Sequence, residues 1–175
     1  MNIMPLELSG VLGIQSSATF DERGSFLRIW DAVDFEGQFD LIQASAASNV
    51  KALTLRGLHF QGEPDDETKI VQCISGSVFD VAVDLREDST TYRRCIARRI
   101  GPKEELQGLL IPKGFAHGYL TLEANSTLIY FMDQLYAPES ARGIIWNDPA
   151  LQIAWPSQPE VISDRDRNFP SLKNL

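Results

Sequence analysis

Two histidines, His59 and His117, are the only imidazoles in a chain of 175 residues, and both stand in apolar runs. His59 lies in LRGLHF (55–60), beside Arg56 and Gly57, and His117 lies in IPKGFAHGYL (111–120). An imidazole in such a place is either a core filler with satisfied ring nitrogens or a proton-transfer group, since its ordinary pKa of about 6.5 is close to working pH. Four further groups could join acid–base work: the ammonium of Lys69, the phenol of Tyr130 and the carboxylates Asp164 and Asp166 in SDRDR. Singly, each has a plainer reading. Lys69 would be solvated, Tyr130 a core tyrosine with one hydrogen bond, and the two aspartates a charged surface turn.

Other chemistries find less support. A catalytic metal in a β-barrel needs several imidazoles plus a carboxylate, and this chain has no His-x-His pair. No metal is expected. No Gly-x-Ser-x-Gly elbow and no phosphate-cradling glycine loop occur. The cysteines, Cys73 and Cys95, are too few for a disulfide scaffold and read as buried thiols. A formal charge of −8 argues against non-specific nucleic-acid binding, although converging arginines can still hold an anionic ligand. No apolar run approaches the ~20 residues of a membrane span, and MNIMPLELSG has no signal-peptide pattern. A cytoplasmic location is expected, with neither membrane nor nucleic acid as a partner.

These residues need elements to hold them, and strand signals dominate. SVFDVAVDL (77–85) alternates Phe79, Val81, Val83 and Leu85 against Asp80, Ala82 and Asp84. KIVQCIS (69–75) reads as the preceding strand, with Gly76 where a tight hairpin or bulge would go. STLIYFMD (126–133) is another strand, with Tyr130 on the face of Leu128 and Met132. LLIPKGFAHGYLTL (109–122) reads as two short strands around a turn. Only 31–37 and 102–107 offer short helical candidates. The pattern predicts one domain over 1–175, all-β, a sandwich or barrel of jelly-roll type with a few short helices.

Taken in order, DERGSF (21–26), LRGLHF (55–60), ETKIV (67–71), GSVFDVAVDLR (76–86), IPKGFAHGYL (111–120), LIYFMDQLYAPE (128–139), WNDPAL (146–151) and ISDRDR (162–167) closely resemble the dTDP-4-dehydrorhamnose 3,5-epimerase family. The resemblance runs from about residue 5 to 170. It implies a cupin-type jelly roll (a double-stranded β-helix), a homodimer with strand exchange, and no metal or redox cofactor. The implied substrate is a nucleotide-diphosphate 4-keto-6-deoxyhexose, in the making of deoxysugars such as those of surface polysaccharides. Carried over by motif, His59 is the catalytic base, Asp166 its orienting carboxylate, Tyr130 the acid on the opposite ring face and Lys69 the cation near the C4 oxygen. Arg56 and His117 match groups near the sugar and diphosphate, and Tyr136 a pocket aromatic. Arg23 and Phe26 match the segment that reaches the nucleotide from the partner subunit, while Arg165 could add to the diphosphate site.

Departures from the family pattern gather on the nucleotide side. Arg28 stands where relatives usually carry a glutamate, Ala141 replaces another, and the Gln-x-Asn-x-Ser pattern survives in part as Gln43, Ser45 and Ala47. An arginine can donate to the acceptors of cytosine, whereas a carboxylate accepts from thymine N3–H. The same chemistry on a CDP-linked sugar, at a single carbon, is therefore an alternative. The others are a keto-isomerase, which would want a close histidine pair, and a non-catalytic sugar-nucleotide binding protein.

Overall fold

The computed structural model describes residues 1–175. Its strands begin with β1 (Asn2–Pro5), β2 (Leu12–Gln15), β3 (Thr19–Asp21), β4 (Gly24–Phe26), β5 (Gln43–Asn49) and β6 (Thr54–Gln61). They continue with β7 (Lys69–Ser75), β8 (Val78–Asp84), β9 (Cys95–Ile100), β10 (Gly108–Ile111), β11 (Phe115–Thr121) and β12 (Ser126–Met132). Two short strands, β13 (Ala141–Gly143) and β14 (Val161–Ile162), precede a one-turn helix, α1 (Asp164–Arg167), and a 3-10 turn at Leu172–Asn174.

One sheet has the order β1-β2-β10-β7-β12-β5 and the other β13-β6-β11-β8-β9, with β14 parallel to the start of β6. From β6 to β13 the chain changes sheet at almost every connection, which is jelly-roll winding. Gly76 therefore does not close a hairpin. Strands β7 and β8 belong to different sheets, and Gly76 turns the corner at φ +75°, where an added Cβ would stand 2.2 Å from Ser126 Oγ. The turn 112–114 likewise carries β10 into β11 across the two sheets.

Neither face of the central strands is left to solvent. Val71, Cys73, Ala82, Leu109, Ile111, Phe115, Tyr119 and Leu128 fill the barrel interior. A second layer, including Val81, Val83, Ile144 and Leu151, covers the outside of one sheet, and Phe35, Phe39 and Trp30 cover the other. Trp30 and Phe35 stack with centroids 5.1 Å apart, a geometry that adds to simple area burial. The alternation in β8 thus separates two buried environments, and Asp80 and Asp84 are both fully enclosed.

The two helical candidates are turns. At 31–37 the Asp31 carboxylate accepts from Val33 N, three-residue bonds such as Asp34 N to Asp31 O recur, and Gly37 at φ +71° breaks the run. At 102–107, Glu104 N bonds back to Gly101 O, and Gln107 N donates to Ile14 O of β2. At 102–107 the Gln107 side chain and neighbouring strands take backbone groups that a helix would pair internally, while 31–37 closes only three-residue turns. The SDRDR surface turn is instead α1, capped by Ser163 Oγ accepting from Asp166 N, with Asp166 buried. Both cysteines are free, and burial pushes the Cys73 thiol up to about 12. No helix is long and apolar enough to cross a membrane.

Candidate active site

At one end of the barrel lies a cleft of about 260 Å³ whose walls include Ser45, Arg56, His59, Lys69, His117 and Tyr130. Five strands build it. Lys69 opens β7, Tyr130 sits mid-β12 opposite Ser45 of the edge strand β5, and His59 of β6 lies directly across from His117 of β11. Period-two alternation sends each of these side chains to the same interior face. A register shift in β11 between His117 and Tyr119 then brings Tyr119 opposite Arg56.

His59 Nε2 and Asp166 Oδ1 are 2.8 Å apart, and Asp166 Oδ2 accepts from Gly57 N at 3.0 Å. Gly57 is at φ +128°, and a Cβ there would stand 2.5 Å from Gly118 Cα, so only glycine brings this amide onto the carboxylate. Burial works against the charge on Asp166, but the bonds from His59, Gly57 and Ser163 outweigh it and hold its pKa below the ordinary value. An ionised carboxylate only accepts, so Nε2 carries the proton and Nδ1 keeps a lone pair. The ring also meets Phe169 edge-on at 5.6 Å.

His117 has a partner of its own. Its Nε2 is 2.8 Å from Asp80 Oδ2, both groups are buried, and Asp80 Oδ1 has no hydrogen-bond partner. His117 packs edge-on against Tyr130 with centroids 6.0 Å apart. Burial, reinforced by Tyr119 and Asp80, pushes the Tyr130 phenol well above its ordinary pKa, so it keeps its proton. Asn49 Oδ1 accepts from both Tyr119 Oη at 3.1 Å and Arg56 Nε at 3.0 Å. That leaves the terminal nitrogens of Arg56 free for a ligand. Lys69 Nζ is 2.6 Å from Glu67 Oε1.

Other expected residues lie elsewhere in the single chain. Arg23 and Phe26 are on the β3–β4 hairpin, a separate two-stranded sheet whose six strand residues are all exposed. Arg23 pairs there with Asp21. Arg28 is exposed and pairs with Asp31 at 2.9 Å. Gln43 accepts from Tyr136 N, while Tyr136 itself is exposed and is not part of the cleft wall. Arg165 lies over the Phe169 ring at 5.5 Å from its centroid. Asp80, Glu67, Asn49 and Tyr119 were missed as site residues. Asp80 is the one legible in retrospect, as a carboxylate amid the apolar run VFDVAV.

The two wound sheets and this end cleft are those of a cupin-type jelly roll with ionisable side chains gathered in its mouth. A family model described as dTDP-4-dehydrorhamnose 3,5-epimerase matches residues 5–174. A Shigella flexneri dTDP-4-dehydrorhamnose 3,5-epimerase is 36% identical over 172 residues, covering 96% of this chain and 94% of its own. The solved Bacillus anthracis dTDP-4-dehydrorhamnose 3,5-epimerase, with TDP and PPi bound, is 32% identical at a TM-score of 0.91, covering 98% of this chain and 99% of that one. A Legionella pneumophila dTDP-6-deoxy-D-glucose-3,5-epimerase in complex with dTDP-4-keto-L-rhamnose is 31% identical at a TM-score of 0.90, covering 98% and 93%. The chain belongs to the dTDP-4-dehydrorhamnose 3,5-epimerase family.

Proposed function

We propose that the chain inverts C3 and C5 of a dTDP-linked 4-keto-6-deoxyhexose by enolisation, with His59 as base and Tyr130 as acid. The observation that carries this reading is the shared cleft: an aspartate-held imidazole and a proton-retaining phenol meet there with Lys69 and Arg56. The ketone at C4 acidifies the neighbouring C–H bonds. Nδ1 of His59 takes such a proton, and Asp166 stabilises the imidazolium that forms. Lys69 faces the enolate oxygen, where a fixed charge is commonly worth roughly 10²–10³ in rate. Tyr130 returns a proton from the other side of the ring, which inverts the carbon. Arg56 neutralises diphosphate charge, and His117 with Asp80 backs the phenol.

A homodimer completes this picture. On the β3–β4 hairpin, Phe20 and Phe26 are 81% and 72% exposed, and β5 leaves one edge of its sheet unpaired. Both features suit exchange with a second copy, which would carry Arg23 and Phe26 to the partner's nucleotide. Light scattering on the purified chain should give twice 19.5 kDa.

The choice of dTDP over CDP rests on the ligands of the two solved relatives and on Arg28, whose guanidinium is already paired with Asp31. Incubation with dTDP- and CDP-4-keto-6-deoxyglucose in deuterated water, followed by NMR, tests the whole reading. Deuterium should enter at C3 and C5 of the dTDP sugar. Exchange with the CDP sugar alone would favour cytidine, and exchange with neither would favour a binding protein.

A further inference from the structure

Lys69 does not stand free in the cleft. Its ammonium meets Glu67 Oε1 at 2.6 Å, and the two side chains are only 8% and 12% exposed. The second carboxylate oxygen, Glu67 Oε2, accepts from Gln61 Nε2 at 3.2 Å. Gln61 in turn donates to Leu135 O at 3.2 Å and accepts from Ala137 N at 2.6 Å, tying the pair to the segment after β12. The backbone beside Glu67 is fixed as well, since Thr68 N donates to Asp133 Oδ1 at 2.7 Å. Glu67 therefore has one oxygen on Lys69, at the point where the chain enters β7, and the other on a Gln61 amide nitrogen that it shares with Asp65 O at 2.8 Å and Leu135 O.

A lysine is a point charge on a flexible four-carbon stem, and burial disfavours its charged form unless a partner is supplied. Enolate stabilisation needs that charge both present and fixed. On the proposed reading of the cleft, we infer that Glu67 is a positioning residue: it holds the Lys69 side chain in place and aims it at the sugar's C4 oxygen. Glu67 need not touch the substrate, and it lies apart from the nucleotide segments. Its loss should show in turnover rather than in binding.

Glu67→Gln keeps the shape and removes the charge. It should lower kcat roughly 10- to 100-fold, leave KM within about twofold, and leave the Kd for dTDP, read by calorimetry, unchanged. Glu67→Asp, which keeps the charge on a shorter stem, should recover part of kcat. An active wild type beside a Glu67→Gln variant at wild-type kcat overturns the role of Glu67 alone. So does a parallel loss of kcat and dTDP affinity, which would mark a merely structural pair. If Glu67→Gln does not fold, Glu67→Asp decides: a reduced kcat at unchanged KM supports the role, and a wild-type kcat overturns it. A wild type that exchanges no deuterium overturns the reading of the cleft, and this inference with it.

Discussion

The barrel holds two histidine–aspartate pairs whose histidines face each other across one strand pairing, and they differ in access and in how the carboxylate is held. In each, Nε2 lies 2.8 Å from a carboxylate oxygen. The His59 side chain is 42% exposed over an Asp166 exposed by 6%, whereas His117 and Asp80 are exposed by 4% and 0%. Asp166 also accepts from Gly57 N, so both its oxygens are used, while Asp80 leaves Oδ1 unpartnered. The first pair offers a free Nδ1 to an open cleft. The second is buried in the cleft wall, with its imidazole packed edge-on against the Tyr130 ring. On the proposed function, this difference in exposure assigns the base to His59 and a supporting role to His117, because a base must reach the carbon it deprotonates.

Substitutions can break this contrast. His59→Asn removes the accessible base and should lower deuterium exchange by about 10⁴ with little loss of Tm, checked by NMR exchange and thermal melts. His117→Leu should do the reverse in kind. It strands the buried Asp80 charge, which costs about 3–5 kcal/mol of stability when a partner is removed, visible as a lower denaturation midpoint. Asp166→Asn keeps the cleft's shape but loosens tautomer and imidazolium, and should reduce kcat by about 10²–10⁴ with KM nearly unchanged.

Acid gives the smallest and broadest effect. Asp166 is held below its ordinary pKa against the opposing pull of burial, and Asp84 is too, by Arg86, Ser89 and Thr91. A depressed folded pKa contributes stability that is complete above the unfolded aspartate value of about 3.9. It is lost as pH falls through the folded values. Urea midpoints should therefore stay level from neutral pH down to about 4 and drop below it. Asp84→Asn should flatten that drop.

The contrast also shows what a sequence can carry. Strands at 69–75, 78–84 and 126–132 were legible because period-two alternation survives even when both faces are buried. Which strands share a sheet was not, since the corner at Gly76 and a hairpin use the same turn residue. The segment 31–37 offers a helical candidate, but its backbone closes three-residue turns, such as Asp34 N to Asp31 O, and Gly37 at φ +71° ends them. His59, Lys69, Tyr130, Arg56 and His117 were read in advance and share one cleft. Asp80 and Glu67 were not, because a carboxylate's meaning lies in a partner distant in the chain or hidden by a turn. Arg23 and Phe26 are legible only with the second copy that the proposal requires.

Solvent deuterium entering C3 and C5 of dTDP-4-keto-6-deoxyglucose, compared among wild type, His59→Asn and His117→Asn at equal folded fraction, tests the division between base and scaffold most directly. Exchange should vanish in His59→Asn and persist, slowed, in His117→Asn. Persistent exchange without His59, or its abolition in a folded His117→Asn protein, would contradict that division.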